Sequence, residues 1–287
     1  MKQLKRILVL STAALAGGGV IAASAAAATC GSLASLNLTD IAITAAQTIP
    51  AGDYTAANGQ TFHNLPTFCR VAGTATPTSQ SQIQFEVWMP PSGTWKGIFR
   101  GEGSGGSAGA ITFPLMANAI QRNYVTMSND NGHTGSNWSF SLQPEKVNDF
   151  GYRSQHVTTV AAKSIIQAFY HQRPSFSYFY GCSQGGHHAL MEAQRYPDDY
   201  DGIVAGDPGN DWTSLMFGEL WTGVKSTTGG PASDLPQTQL NLVTNAVVAQ
   251  CGSRDGGLKS DPLTIRAIAI SMPRHCNASR ARTRALV

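Results

Sequence analysis

The chain has 287 residues, 42% of them hydrophobic, and carries 30 glycines and a formal net charge of +3. That length and composition suit one large α/β domain plus part of a second, and they argue against a disordered chain. Lys2, Lys5, Arg6 and five arginines between 263 and 287 (Arg266, Arg274, Arg280, Arg282, Arg284) account for eight of the 20 basic residues, leaving twelve against 17 acidic residues in the body, so nucleic acid is not an expected partner.

Residues 1–28 read as a secretion signal: a basic start, an apolar run over 7–16 and a small-residue stretch over 24–28 with A-x-A cleavage options. The mature chain is expected to begin just before Cys30, to be secreted or periplasmic, and to keep no membrane attachment once the signal is removed. Gly17, Gly18 and Gly19 weaken a transmembrane reading, and the bulky Thr29 weakens a lipid anchor on Cys30. Five cysteines in a secreted chain suggest disulfides with one left over. Cys30 and Cys69 bracket the first β-rich segment and are the expected pair.

From 30 to 91 the sequence is rich in Thr, Ala, Gly and Pro with short strand-like runs, the clearest over 83–89, and reads as an antiparallel start to a sheet. A strand over 96–100 opens onto the glycine loop 101–109, and a helix-compatible stretch covers 113–122. This strand, loop and helix suggest a site for negative charge. A third strand covers 124–128, and Asp149 is expected to cap a helix whose inner face is Val157, Val160, Ala161, Ile165 and Phe169. A strand over 176–180, a helix over 186–196 and a strand over 202–205 follow. Alternating elements of this kind predict a mostly parallel sheet covered on both faces. Residues 29–208 thus form the core. Beyond Asp207-Pro-Gly-Asn-Asp-Trp212 the character changes to Ser/Thr/Gly/Pro loops, including 226–233, mixed with a helical segment near 238–249. The span 209–262 reads as the start of an inserted lid, and 263–287 as an atypical arginine-rich tail, from either a frame change or a natural basic end.

The most informative stretch is Tyr178-Phe-Tyr-Gly-Cys-Ser-Gln-Gly-Gly186. Gly181, Ser183 and Gly185 fill G-x-S-x-G, the nucleophile elbow, where a strand turns into a helix so tightly that side chains at the glycines would collide. Gly105-Gly-Ser107-Ala-Gly109 fits the same pattern, but Ser107 lies in a loose glycine run after an early strand, so Ser183 is assigned as nucleophile. Ester chemistry also needs a histidine base, an acid to orient it and two N–H donors for the oxyanion. The Gln184 N–H, directly after the nucleophile, is the natural first donor, and Gly105 of the glycine loop is the candidate for the second. His187 and His188 are read as packing beside the pocket. His63, His133, His156 and His171 precede the nucleophile, against the Ser, acid, His order of this architecture. His275 follows, and Cys276 beside it would let a disulfide to Cys182 clip base to nucleophile, yet it lies in the patternless tail. Cys182 also reads simply as a small buried hydrophobe.

The chain resembles the tannase and feruloyl esterase family of secreted α/β hydrolases, which also includes enzymes cleaving aromatic polyester monoesters. The resemblance rests on Asp149-Phe-Gly-Tyr-Arg153, Gly181-Cys-Ser-Gln-Gly-Gly186, Met191-Glu-Ala-Gln-Arg-Tyr-Pro197, Asp201-Gly-Ile-Val-Ala-Gly206 and Asn210. Earlier support comes from Leu65-Pro-Thr-Phe-Cys-Arg-Val71, Phe85-Glu-Val-Trp88, the glycine loop and Asp130-Asn-Gly-His133. It implies an α/β-hydrolase fold with an inserted lid domain, C-terminally incomplete here, since no position matches the family's acid and histidine. It also implies that Cys182 pairs with a cysteine directly after the catalytic histidine. Many relatives bind calcium in a lid loop; in the corresponding 251–262, Asp255 and Asp261 remain but Gly252 and Lys259 stand where acids would be expected, so no metal or other cofactor is expected.

The expected function is a secreted serine carboxylic-ester hydrolase acting on a small aromatic ester, in a form lacking the acid and histidine of its triad. Two alternatives stand beside it: a non-catalytic remnant that binds aromatic acids, and a lipase or polyester-depolymerase-like esterase using His275 as base. Trp212, Phe217 and Trp221 are candidates for stacking on a phenolic ring, or for packing within the lid.

Overall fold

The computed structural model describes residues 28–230 and 236–251. The segment read as a secretion signal, residues 252–262 of the calcium-type loop, the arginine-rich tail and His275 with Cys276 lie outside the described residues. The described residues divide into two units, one through Asn210 and one from Asp211.

In the first unit a 3₁₀ turn over Cys30–Ser35 leads into β1 (Ile41–Ile49), the hairpin β2 (Gly52–Thr55) and β3 (Thr61–Leu65), then β4 (Phe68–Ala75), β5 (Ile83–Met89) and β6 (Ile98–Glu102). There follow α1 (Phe113–Ile120), β7 (Val125–Asn129), the short α2 (Pro144–Asn148), a π-helical turn Asp149–Arg153, α3 (Ser154–Tyr170), β8 (Phe176–Cys182), α4 (Gln184–Arg195) and β9 (Gly202–Gly206). The second unit contains α5 (Trp212–Thr228) and α6 (Gln237–Cys251).

Seven strands form one sheet in the order β1-β4-β5-β7-β6-β8-β9. β1/β4, β4/β5 and β5/β7 pair antiparallel, whereas β7/β6, β6/β8 and β8/β9 pair parallel. The sheet is therefore mixed, which corrects the expectation of a mostly parallel one. Parallel pairing needs a helical crossover, and the first helix between strands is α1. The α/β-hydrolase fold is confirmed.

Alternation along β5 decides what each face covers. Phe85, Val87 and Met89 point into a core with Val71, Phe99, Met127, Ile165, Ile166 and Phe179, under α3 and α4. Trp88 points the other way, into a cluster with Phe68, Phe113, Met116 and Ile120 under α1. Burying each such side chain contributes about 1.5–3 kcal/mol. Cys30 and Cys69 form the expected disulfide, with Cα atoms 5.5 Å apart. Among the described residues no helix is long and apolar enough to cross a membrane.

Three local expectations are corrected. Asp149 caps no helix N-terminus: it is the C-cap of α2, fully buried, and its Oδ1 accepts from Arg153 Nε at 2.6 Å and Ser81 Oγ at 3.2 Å, while the π-helical turn runs straight into α3. Val160 is 48% exposed, because α3 turns Thr158, Ala161, Ala162, Ile165 and Ile166 to the sheet; the buried Thr158 is satisfied by Asn129 Nδ2 at 2.8 Å. The loop character expected after Trp212 is instead helix α5, started by Asp211, whose Oδ1 accepts from Ser214 N at 3.3 Å. The segment read as helical near 238–249 is α6.

Candidate active site

β8 ends at Cys182 and α4 begins at Gln184, so Ser183 alone makes the turn, with φ 59° and ψ −116°. A non-glycine residue held there costs of order 1–3 kcal/mol and persists only where its surroundings over-determine it. They do so here: Ser183 N donates to Gly206 O at 3.0 Å, and Ser183 O accepts from His187 N at 3.0 Å and Gly209 N at 3.4 Å. The glycines are required by contact with backbone. A Cβ on Gly181 would lie 2.2 Å from Gly185 O, and one on Gly186 2.4 Å from Gly206 O. Ser183 is exposed while Gln184 is buried.

The glycine loop crosses this elbow. A Cβ on Gly103 would come within 2.7 Å of Gly185 Cα and 3.1 Å of Gly181 Cα, and Gly103 N donates to Tyr180 O at 2.8 Å. Gly105, two residues on, is exposed with open space where a side chain would be. The structure thus brings Ser183, Gln184 and the loop carrying Gly105 together. Ser107 lies in no strand-turn-helix; its Oγ donates to Ser136 O at 3.2 Å. Gly103, the residue that touches the elbow, was not singled out from sequence, since only the β6–β8 pairing makes its lack of a side chain necessary.

The histidines before and beside the elbow take other parts. His63 Nδ1 lies 2.9 Å from Asp53 Oδ2 on the exposed hairpin, and His156 Nδ1 2.6 Å from Asp199 Oδ2, with its ring stacked on Tyr196. His133 is buried and stacked on Phe140, and His171 ends α3 in left-handed conformation. His187 and His188 are buried at the start of α4; burial holds both imidazoles below the ordinary range, His188 at about 4. Among the described residues no histidine is hydrogen-bonded to Ser183 Oγ. Cys182 is an exposed free thiol among these residues. Trp212, Phe217 and Trp221 lie on α5, where Phe217 and Trp221 stack at 6.5 Å and Lys225 sits over the Trp221 ring.

One carboxyl on α4 gives the site's supporting helix a pH dependence. Glu192 is fully buried, and burial, followed by the negative charge of Asp199, pushes its pKa up from 4.5 to about 9. The folded state then holds a proton that an unfolded glutamate releases near 4.5, so this group's contribution to stability falls as pH rises from about 4.5 to 9. Glu192→Gln, neutral throughout, is expected to flatten that fall and to raise the Tm at pH 8 by a few degrees, at about 2–4 °C per kcal/mol. Parallel thermal-melt profiles for variant and wild type between pH 5 and 8.5 would remove Glu192 as the cause.

With this geometry in place, comparisons with known proteins become specific. The profile of the tannase and feruloyl esterase family matches residues 69–285. An uncharacterized esterase of Xanthomonas campestris is 36% identical over 245 residues, 83% of this chain and 42% of that protein. A probable feruloyl esterase B-1 of Aspergillus oryzae is 36% identical over 223 residues, 75% and 40% of the two. The crystal structure of feruloyl esterase B from Aspergillus oryzae superposes with TM-score 0.72 at 34% identity, over 80% of this chain and 47% of that one. The chain spans less than half the length of these relatives. Its elbow, its mixed sheet and the family match over most of its length agree: the chain belongs to the tannase and feruloyl esterase family, whose members are carboxylic ester hydrolases.

Proposed function

We propose that the chain is the nucleophile-bearing part of a secreted serine esterase that cleaves esters of phenolic acids. The observation that carries the proposal is Ser183, exposed at φ 59° on a one-residue turn between β8 and α4, with the glycine loop packed against the same turn. In this reading Ser183 Oγ attacks the ester carbonyl carbon and the carbonyl oxygen becomes an oxyanion. The N–H groups of Gln184 and Gly105 stabilise it, each donor being worth about 2.7–4 kcal/mol. Collapse breaks the ester C–O bond; the departing alkoxide takes up the proton lost by the Ser183 hydroxyl and leaves as the alcohol, and water then adds to the acyl carbon, releasing the acid and restoring the Ser183 hydroxyl.

The phenolic acid class is supported by the feruloyl esterases that the chain resembles, and secretion by its first 28 residues. No cofactor enters the proposed chemistry, and Lys259 in the calcium-type loop argues from sequence against a metal there. The test is hydrolysis by the full chain of methyl ferulate and methyl gallate against methyl butyrate. The aromatic esters are expected to have the larger kcat/KM by at least about tenfold, 1.4 kcal/mol of transition-state discrimination. Hydrolysis of methyl butyrate as fast as of the aromatic esters, or a folded chain whose Ser183 a fluorophosphonate does not label, would overturn the proposal.

A further inference from the structure

A chain of buried polar side chains runs beneath both the glycine loop and the elbow. At one end Ser104 Oγ accepts from Asn131 Nδ2 at 2.8 Å. Asn131 Oδ1 accepts from Gln155 Nε2 at 3.0 Å, and the same Gln155 nitrogen lies 3.4 Å from His188 Nδ1. His188 Nε2 lies 2.8 Å from the carbonyl oxygen of Phe150, in the π-helical turn before α3. A carbonyl only accepts, so Nε2 carries the ring proton and Nδ1 is left to accept from Gln155. The Gln184 Nε2 lies 3.0 Å from the same Nε2, but both are donors and Gln184 Oε1 has no partner among the described residues, so the hydrogen-bonded chain ends at His188.

The five side chains come from four segments: the loops after β6 and β7, the start of α3 and the start of α4. None of Ser104, Asn131, Gln155, Gln184 and His188 is more than 5% exposed. Buried polar groups are costly unless satisfied, and a connected set has few alternative arrangements because each change strands a neighbour. Asn131 is further constrained at φ 59°, with its N–H donating to Asn129 Oδ1 at 2.9 Å. Burial keeps His188 neutral across the ordinary pH range, which preserves one tautomer and one direction of bonding. The ends of the chain are informative: Ser104 precedes Gly105, and His188 lies one turn along α4 from Gln184, which follows Ser183. Those are the segments carrying the two proposed oxyanion donors, and such donors must sit 2.7–3.1 Å from the oxyanion to act.

We propose that Asn131 and Gln155 are positioning residues that, through Ser104 and His188, fix the separation between the glycine loop and the first turn of α4. The proposal rests on the reading of Ser183, Gln184 and Gly105 as an oxyanion-forming site.

Two measurements on the full chain test it. In Asn131→Ala and in Gln155→Ala, amide hydrogen exchange over 103–109 and 184–186 is expected to rise about tenfold, with β4 and β5 unchanged, as for local opening. The rate constant for fluorophosphonate labelling of Ser183 is expected to fall at least about tenfold in each variant, below the 10²–10³ lost on deleting a donor outright. The double variant should be no slower than the worse single one, because both residues act through one chain. Unchanged exchange at either end, unchanged labelling with loosened loops, or losses that multiply in the double variant would each overturn the proposal. If Asn131→Ala does not fold, Ser104→Ala removes only the terminal bond and is judged by the same criteria. If the wild-type chain itself is not labelled, the esterase reading fails, while exchange still decides whether the segments are held as one unit.

Discussion

Ser183→Ala is expected to abolish covalent labelling of the folded chain by a fluorophosphonate, because the nucleophile is gone. Labelling is the direct measurement because the new bond forms on Oγ itself. The strained turn makes this side chain exposed, whereas its neighbours Gly181, Gln184 and Gly185 are buried. Ser107→Ala is the informative control, since its pentapeptide has the same formal pattern. Its hydroxyl is bonded to Ser136 O in an irregular loop, so labelling should persist. Mass spectrometry of the labelled peptide separates the two serines. Adduct on Ser107, or an undiminished adduct in Ser183→Ala, would reverse the assignment.

The second large effect is structural. Gly181→Ala would place a Cβ 2.2 Å from Gly185 O and 2.4 Å from Gly185 C, inside the distance at which atoms can coexist. Both obstacles are backbone, so no rotamer change relieves them and α4 would have to move away from β8. The expected cost is about 3 kcal/mol or more, at or above the upper end of overpacking penalties. Gly105→Ala is the counterpart: nothing lies within 4 Å of its Cβ position and its φ is not positive, so stability should stay within about 0.5 kcal/mol. Chemical denaturation of the two variants beside wild type measures the contrast. Equal midpoints would mean that the elbow is not packed as described.

The elbow was legible because its requirements are local. Two glycines four residues apart, an aromatic strand before them and a helical pattern after them all reflect contacts within one short stretch. The long β5 and the 30–69 disulfide were readable for similar reasons, from strong alternation and from cysteine spacing. What escaped depends on distant partners. Glu102 was placed in a loop, yet it ends β6, buried, because Arg100 and Thr126 hydrogen-bond its carboxylate. Asp149 looked like a helix N-cap and is instead the buried C-cap of α2, its carboxylate held by Arg153 and Ser81. α5 was hidden by Gly218 and Gly223 and by threonines, whose weak helix propensity masks its apolar residues. Gln155 carried no signal at all, since a glutamine inside a helical pattern is usually a solvated one.

The sheet order also bears on how the chain becomes competent. The elbow strand pairs on one side with β6, through Glu102 and Tyr180, and on the other with β9, through Cys182 and Gly206. The β6–β8 pairing closes a long loop that contains α1, β7, α2 and α3. Such closure is entropically costly and slow, and topologies dominated by it fold late. The strained torsions of Ser183 rest on Gly206 O and Gly209 N, which arrive later still in the chain. A growing polypeptide that has displayed every residue of the Gly-x-Ser-x-Gly signature still lacks the partners that hold Ser183 in its turn. The turn that sets Ser183 apart is therefore complete only once β9 and the residues after it have docked.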